Sequence, residues 1–140
     1  MIVVDTSVIY ALLDADDNNH EAAAEWYLDT LPTLTTTPLV LAEVDHLAAT
    51  RAGAAAQRAF HRDVAEGAYE INWWPEAAAT SVAIAERNAD LGIGLTDASL
   101  VALADRMDSR DIATFDQRHF RAMRPRKGDT FRLLPMDSAD

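Results

Sequence analysis

Short runs of β-branched and apolar residues alternate along the chain with longer segments whose apolar positions recur at helical spacing. Ile2-Val3-Val4 predicts a first strand over 2–5, and a short helix follows over roughly 7–14. Asp14-Ala15-Asp16-Asp17-Asn18-Asn19 is a loop by composition, and Asn18 or Asn19 can cap a helix over about 19–29. Pro32 and the threonines around it frame a second strand, Leu34–Thr36. Pro38 stands where a first helical residue is favoured and opens a helix to about Thr50. Gly53 breaks it, and a further helix runs to Glu66, stopped by Gly67. A third strand over Tyr69–Asn72 leads into Trp73-Trp74-Pro75 and an alanine-rich helix over 76–90. Leu91-Gly92-Ile93-Gly94 ends that helix, and Thr96 caps another that reaches Met107. Asp111–Thr114 is a fourth strand and Phe131–Leu134 a fifth.

Strands that alternate with helices need crossover connections, which predicts an α/β fold with a central, mainly parallel sheet covered on both faces. Such sheets bind ligands at the carboxyl ends of their strands. Asp5 and Asp116 follow two of those ends.

With 140 residues and no linker, repeat or low-complexity tract, the chain reads as one domain over 1–140, ordered except for its last few residues. There is no cysteine, hence no disulfide framework or thiolate metal site. No run of 18 apolar residues occurs and Met1 leads straight into the first strand, so the expectation is a cytoplasmic protein with no membrane association. The net charge of −11 argues against a nucleic-acid partner until its distribution is considered. Residues 1–110 hold 18 acidic and 6 basic side chains, whereas residues 111–140 hold 5 acidic and 6 basic. Arg118, Arg121, Arg124, Arg126, Lys127 and Arg132 form that basic stretch, directly after Asp116. It reads either as a solvated loop or as a phosphate-binding patch.

Four carboxylates carry the candidate chemistry, each with an ordinary role to set beside it. Asp5 follows three apolar strand residues and precedes Thr6-Ser7, where an acid can also cap a helix. Glu43 lies on the helical wheel between Leu39 and Leu47, in a stripe with Val40, Val44 and Ala48, so it is expected to face the core. Its ordinary role is an ion pair with Arg51 or Arg87. Asp97 opens its helix, where the helix dipole favours a negative charge in any case. Asp116 follows Thr114-Phe115 and could be a turn residue. Together they are like charges placed against a core, which repel one another and lose hydration unless a cation compensates them. Hard ions such as Mg²⁺ and Mn²⁺ suit carboxylate oxygens and phosphate chemistry. Thr6, Ser7, Thr96, Ser99 and Thr114 flank these acids with hydroxyls able to hold a carboxylate or a water.

His20, His46, His61 and His119 share no metal-ligand spacing. No Ser-His-Asp set, GxGxxG or GxxxxGK[ST] occurs, and Trp73-Trp74 reads as core or interface packing.

The ordered set of Asp5-Thr6-Ser7 after the first strand, Glu43 in a Pro-led helix, Thr96-Asp97-Ala98, and Thr114-Phe115-Asp116 resembles the PIN-domain ribonucleases, and among them the VapC-type toxins of toxin–antitoxin pairs. The resemblance covers nearly the whole chain. It implies a three-layer fold and a Mg²⁺-dependent endoribonuclease, with Mn²⁺ able to substitute. Asp5, Glu43, Asp97 and Asp116 would be the metal-binding, catalytic set. Within the basic stretch, Arg118, Arg121 and Arg124 are the candidate RNA contacts. It also implies a homodimer neutralised by a cognate antitoxin. The alternatives are a housekeeping RNA-processing nuclease of the same fold and a silent PIN-like binding module. A phosphoacceptor signalling domain fits less well, because that site needs paired early acids and a late active-site lysine.

Overall fold

Parallel pairing joins all five strands of a twisted sheet in the order β3-β2-β1-β4-β5, in a computed structural model that describes residues 1–137. The expectation for the last few residues therefore falls mostly outside the described part. The strands are β1 (Ile2–Val4), β2 (Leu34–Thr36), β3 (Tyr69–Ile71), β4 (Asp111–Ala113) and β5 (Arg132–Leu134). Flanking them are α1 (Thr6–Leu13), α2 (His20–Thr30), α3 (Pro38–Leu47), α4 (Ala54–Ala65), α5 (Ala77–Arg87), α6 (Leu95–Arg106) and the short α7 (Gln117–Phe120). The expected α/β architecture is the one observed.

The central strands are short and apolar because both of their faces are covered. Val3, Val4, Ile112, Ala113 and Leu133 are fully buried, and so are Val8 and Ile9 of α1 and Leu100 and Val101 of α6. The chain leaves β1 toward β2 and β3 on one side, and later reaches β4 and β5 on the other. The gap between β1 and β4 is thus the topological switch point, where a parallel sheet opens a crevice. Asp5 ends one of these strands and Thr114 the other, and the Asp5 N–H donates to the Ala113 carbonyl at 2.9 Å.

Several elements differ from the expectation in ways with local causes. The third helix stops at Leu47 and continues as a π-type turn over Ala48–Ala52, closed by Gly53 at φ 99°. There the Thr50 hydroxyl donates to the His46 carbonyl at 3.0 Å, a back-bond that loosens a helix end. Thr96 is not the cap of α6. Gly94 holds that place, Leu95 starts the helix, and Thr96 lies in its first turn. The basic stretch contains α7, where Asp116 serves as the N-cap and accepts from the His119 N–H at 3.4 Å.

Among the described residues, no helix is long and apolar enough to cross a membrane. Truncation in the sheet centre measures how far the fold relies on it. Ile112→Ala should cost about 2–5 kcal/mol, read as a lower urea midpoint with an unchanged slope.

Candidate active site

Asp5 is only 4% exposed although it carries a carboxylate, and its surroundings explain how it is held. The Thr114 hydroxyl donates to Asp5 Oδ2 at 2.8 Å and the Ser7 hydroxyl donates to the same oxygen at 3.0 Å. Ser7 Oγ accepts from the Phe115 N–H at 2.9 Å, and Thr114 Oγ1 accepts from the Asp116 N–H at 2.9 Å. Two hydroxyls thus lock the Asp5 carboxylate and shape the turn that carries Asp116.

Asp97 projects from the first turn of α6, and its side chain is 19% exposed. His119 Nδ1 lies 3.0 Å from Asp97 Oδ2 and 3.2 Å from Asp116 Oδ2, bridging the two acids. Asp97, Asp116 and His119 each offer one ligand atom, and these atoms lie within 4.8 Å of one another. Histidine spacing gave no sign of this, because the relevant spacing runs from His119 back to Asp116, one helical turn earlier, and not to another histidine.

Burial, followed by repulsion from Asp97, pushes the Asp5 carboxyl up to about 6, against the pull of the Thr114 and Ser7 hydroxyls. Asp97 is also raised, first by burial and then by Asp116 and Glu43, while His119 pulls it down. Glu43 is therefore close enough to be felt at Asp97, but it is not where the helical wheel predicts. It is exposed, whereas Val40 and Val44 are fully buried. The core-facing arc of α3 is narrow, and Glu43 precedes Val44 by one position, which at about 100° per residue puts it on the rim. It makes no ion pair with Arg51 or Arg87 among the described residues. The Thr37 hydroxyl, at the N-cap of α3, lies 2.9 Å from Ser99 Oγ of α6, and Ser99 Oγ donates to the Thr96 carbonyl at 2.7 Å. Ser99 thus joins the two helices that carry Glu43 and Asp97, and it does not bond to a carboxylate.

A divalent cation fits this donor set on three counts. The oxygens are hard, their mutual repulsion is only partly offset by His119 and the neighbouring hydroxyls, and the buried Thr6 Oγ1 beside Asp5 has no hydrogen-bond partner among the described residues. The basic stretch is less available than its composition implies. Arg121 forks onto Asp137 at 2.7 and 3.1 Å, Arg126 and Lys127 share Asp108, and Arg132 pairs with Asp111. Arg118 and Arg124 make no ion pair among the described residues.

Fold and acidic crevice together define a class of protein that comparison then places. The PIN domain matches residues 2–124. Ribonuclease VapC26 of Mycobacterium tuberculosis is 38% identical over 135 residues, covering 96% of this chain and 100% of the relative. M. tuberculosis VapC20, described as a sarcin–ricin-loop-cleaving toxin, superposes with a TM-score of 0.77 at 23% identity, over 83% of this chain and 90% of that one. FitAcB from Neisseria gonorrhoeae superposes at 0.59 with 23% identity, over 84% and 88% of the two chains. The chain belongs to the PIN-domain family, on its VapC-type ribonuclease branch.

The raised carboxyl of Asp5 carries a pH signature. Between pH 3.8 and about 6 the folded protein holds a proton on Asp5 that the unfolded chain releases. This stabilisation is complete below pH 3.8 and is lost as pH rises through about 6. Above that, the ionised, buried Asp5 costs about 3 kcal/mol in the absence of metal. In EDTA, Asp5→Asn should therefore be roughly 1–3 kcal/mol more stable than wild type at neutral pH, with the gap closing toward the unfolded-state pKa. Urea denaturation over a pH series measures it, and a variant less stable at neutral pH would contradict the assigned cost.

Proposed function

We propose that the chain is a metal-dependent endoribonuclease, the toxin of a toxin–antitoxin pair, that hydrolyses RNA phosphodiester bonds. One observation carries the mechanism: Asp5, a carboxylate with almost no solvent exposure, feels the charge of Asp97, whose ligand atom lies within 4.8 Å of those of Asp116 and His119. In this reading Asp5 and Asp97 hold the ion directly. Asp116 completes the set or serves a second ion, and Glu43 reaches in from the rim to bind directly or to orient a water. Mg²⁺ is the proposed ion, with Mn²⁺ able to replace it, because the donors are mainly carboxylate oxygens. When bound, the ion offsets phosphate charge and makes the attacking water more acidic.

The chain's own residues supply the geometry. Ser7 and Thr114 fix the Asp5 carboxylate so that its rotamer is set before the ion arrives. Thr6 Oγ1 and Thr96 offer hydroxyls to waters around the ion. His119 sets the separation of Asp97 and Asp116. Arg118, Arg121 and Arg124 follow on the next stretch of chain as phosphate contacts, with Arg121 the most restrained by its pairing to Asp137.

The proposed partners are an RNA substrate, a second copy of the chain and a cognate antitoxin. An open, apolar groove of about 370 Å³ between α3 and α4, lined by Leu41, Ala42, Phe60 and Val64, supports a protein partner. Location in the cytoplasm follows from this function.

Purified chain incubated with total RNA should cut at discrete sites in Mg²⁺ and not in EDTA. Asp97→Asn should keep its fold, bind Mn²⁺ at least about 10-fold more weakly and lose more than about 100-fold in cleavage rate. Cleavage by Asp97→Asn at the wild-type rate would remove Asp97 from the site, and a folded, Mn²⁺-loaded wild type that never cuts would favour a pure binding module.

A further inference from the structure

Acidic side chains outnumber basic ones 23 to 12, yet half of the basic ones are gathered in one place. A groove of about 900 Å³ runs between α5, the C-terminal half of α6 and the chain beyond α7. Arg87, Arg106, Arg124 and Arg126 line it, and Asp105 is the one acid in its wall. It shares Asp105, Pro125 and Arg126 with a second groove of about 370 Å³, which adds Arg110 and Lys127. Half of the chain's basic residues border this depression.

The local charge is not cancelled. The Asp105 carboxylate accepts the Arg126 backbone N–H at 2.8 Å, and a single acid, Asp108, serves both Arg126 and Lys127. Arg87, Arg106 and Arg124 make no ion pair among the described residues. The Arg106 guanidinium lies 4.9 Å from the centroid of the Trp74 ring, which fixes its plane and leaves its N–H edge for an anion. Arginines lining a concave wall give a locally positive potential even on a protein of net charge −11.

The groove is also tied to the acidic crevice. One segment carries Asp116 and His119 at the crevice and Arg124 and Arg126 at the groove. Helix α6 carries Asp97 in its first turn and Arg106 at its end, about 14 Å farther along the axis. That span is about four steps of a stacked strand at about 3.4 Å each.

We propose that this groove binds the sugar–phosphate backbone of RNA flanking the cleaved bond. The proposal rests on the ribonuclease reading. Guanidinium forks take phosphate oxygens in pairs, and such contacts set affinity and register without reading sequence. The groove thus gives an acidic nuclease a local means of holding a polyanion, separate from the carboxylates that repel it.

Binding of fluorescent poly(U) in EDTA, which halts metal-dependent cleavage, tests this over a salt series. Wild type is compared with Arg87→Glu/Arg106→Glu and with the milder Arg87→Gln/Arg106→Gln, whose folding the change of charge threatens less. Either pair should lose roughly 10-fold or more in affinity, and its log–log salt slope should be shallower by about 1.4, or about 0.7 per lost contact to a single strand. Cleavage of a short oligonucleotide in Mg²⁺ should stay at the wild-type rate. If wild type cuts RNA but both variants bind poly(U) with unchanged affinity and slope, the groove proposal is overturned and an acidic protein segment becomes its better occupant. If wild type binds poly(U) through these arginines and never cuts, the ribonuclease reading falls and the groove stands.

Discussion

Electrostatic repulsion on a buried carboxylate is the constraint on which the rest of this structure depends. Asp5 is almost fully buried, faces the charge of Asp97, and is compensated only in part by the Thr114 and Ser7 hydroxyls and the Thr6 backbone N–H. A fold selected only for stability would replace it with an apolar residue. Keeping an ionisable group there makes sense when a cation completes the site. The hydroxyls of Ser7 and Thr114 then act as a frame that holds the carboxylate ready at a standing cost.

The sheet makes that frame possible. Because β1 and β4 are parallel neighbours with the chain leaving them in opposite directions, their carboxyl ends diverge into a crevice. The residues just past those ends, Asp5 to Ser7 and Thr114 to Asp116, meet across it through side-chain bonds spanning more than a hundred positions of sequence. Helix α6 adds Asp97, and the Thr37–Ser99 contact sets α3 and its Glu43 against it. The basic stretch after Asp116 is largely neutralised by aspartates, so net composition misstates the available charge. What remains is concentrated where α5 and α6 meet the chain beyond α7.

The alternation of β-branched runs with helical segments was enough to read the parallel α/β sheet, because each buried strand needs a continuous apolar run and each crossover needs a helix. Asp5, Asp97 and Asp116 were legible for a related reason: acids at strand ends and helix starts stand out against apolar neighbours. Glu43 was read as core-facing because the leucines beside it widen the apparent stripe on a helical wheel. Only the structure shows that Leu39 and Leu47 are themselves partly exposed and that the buried line is Val40–Val44. His119 is not legible in the sequence, because its partner acids come from two different elements, a juxtaposition that local spacing cannot encode. The π-type turn after α3 and the capping of α6 by Gly94 leave no trace in the periodicity, because they turn on single hydrogen bonds and backbone angles.

The cost of these clustered carboxylates is relieved, in the reading proposed above, by one kind of ligand, a divalent cation held at Asp5 and Asp97. Diffraction at the manganese absorption edge from crystals soaked in Mn²⁺ tests it most directly. An anomalous peak is expected within coordination distance of carboxylate oxygens of both Asp5 and Asp97, absent from Asp97→Asn crystals. Mn²⁺ bound elsewhere, or a crevice that stays empty at saturating ion with its side chains unmoved, would contradict it.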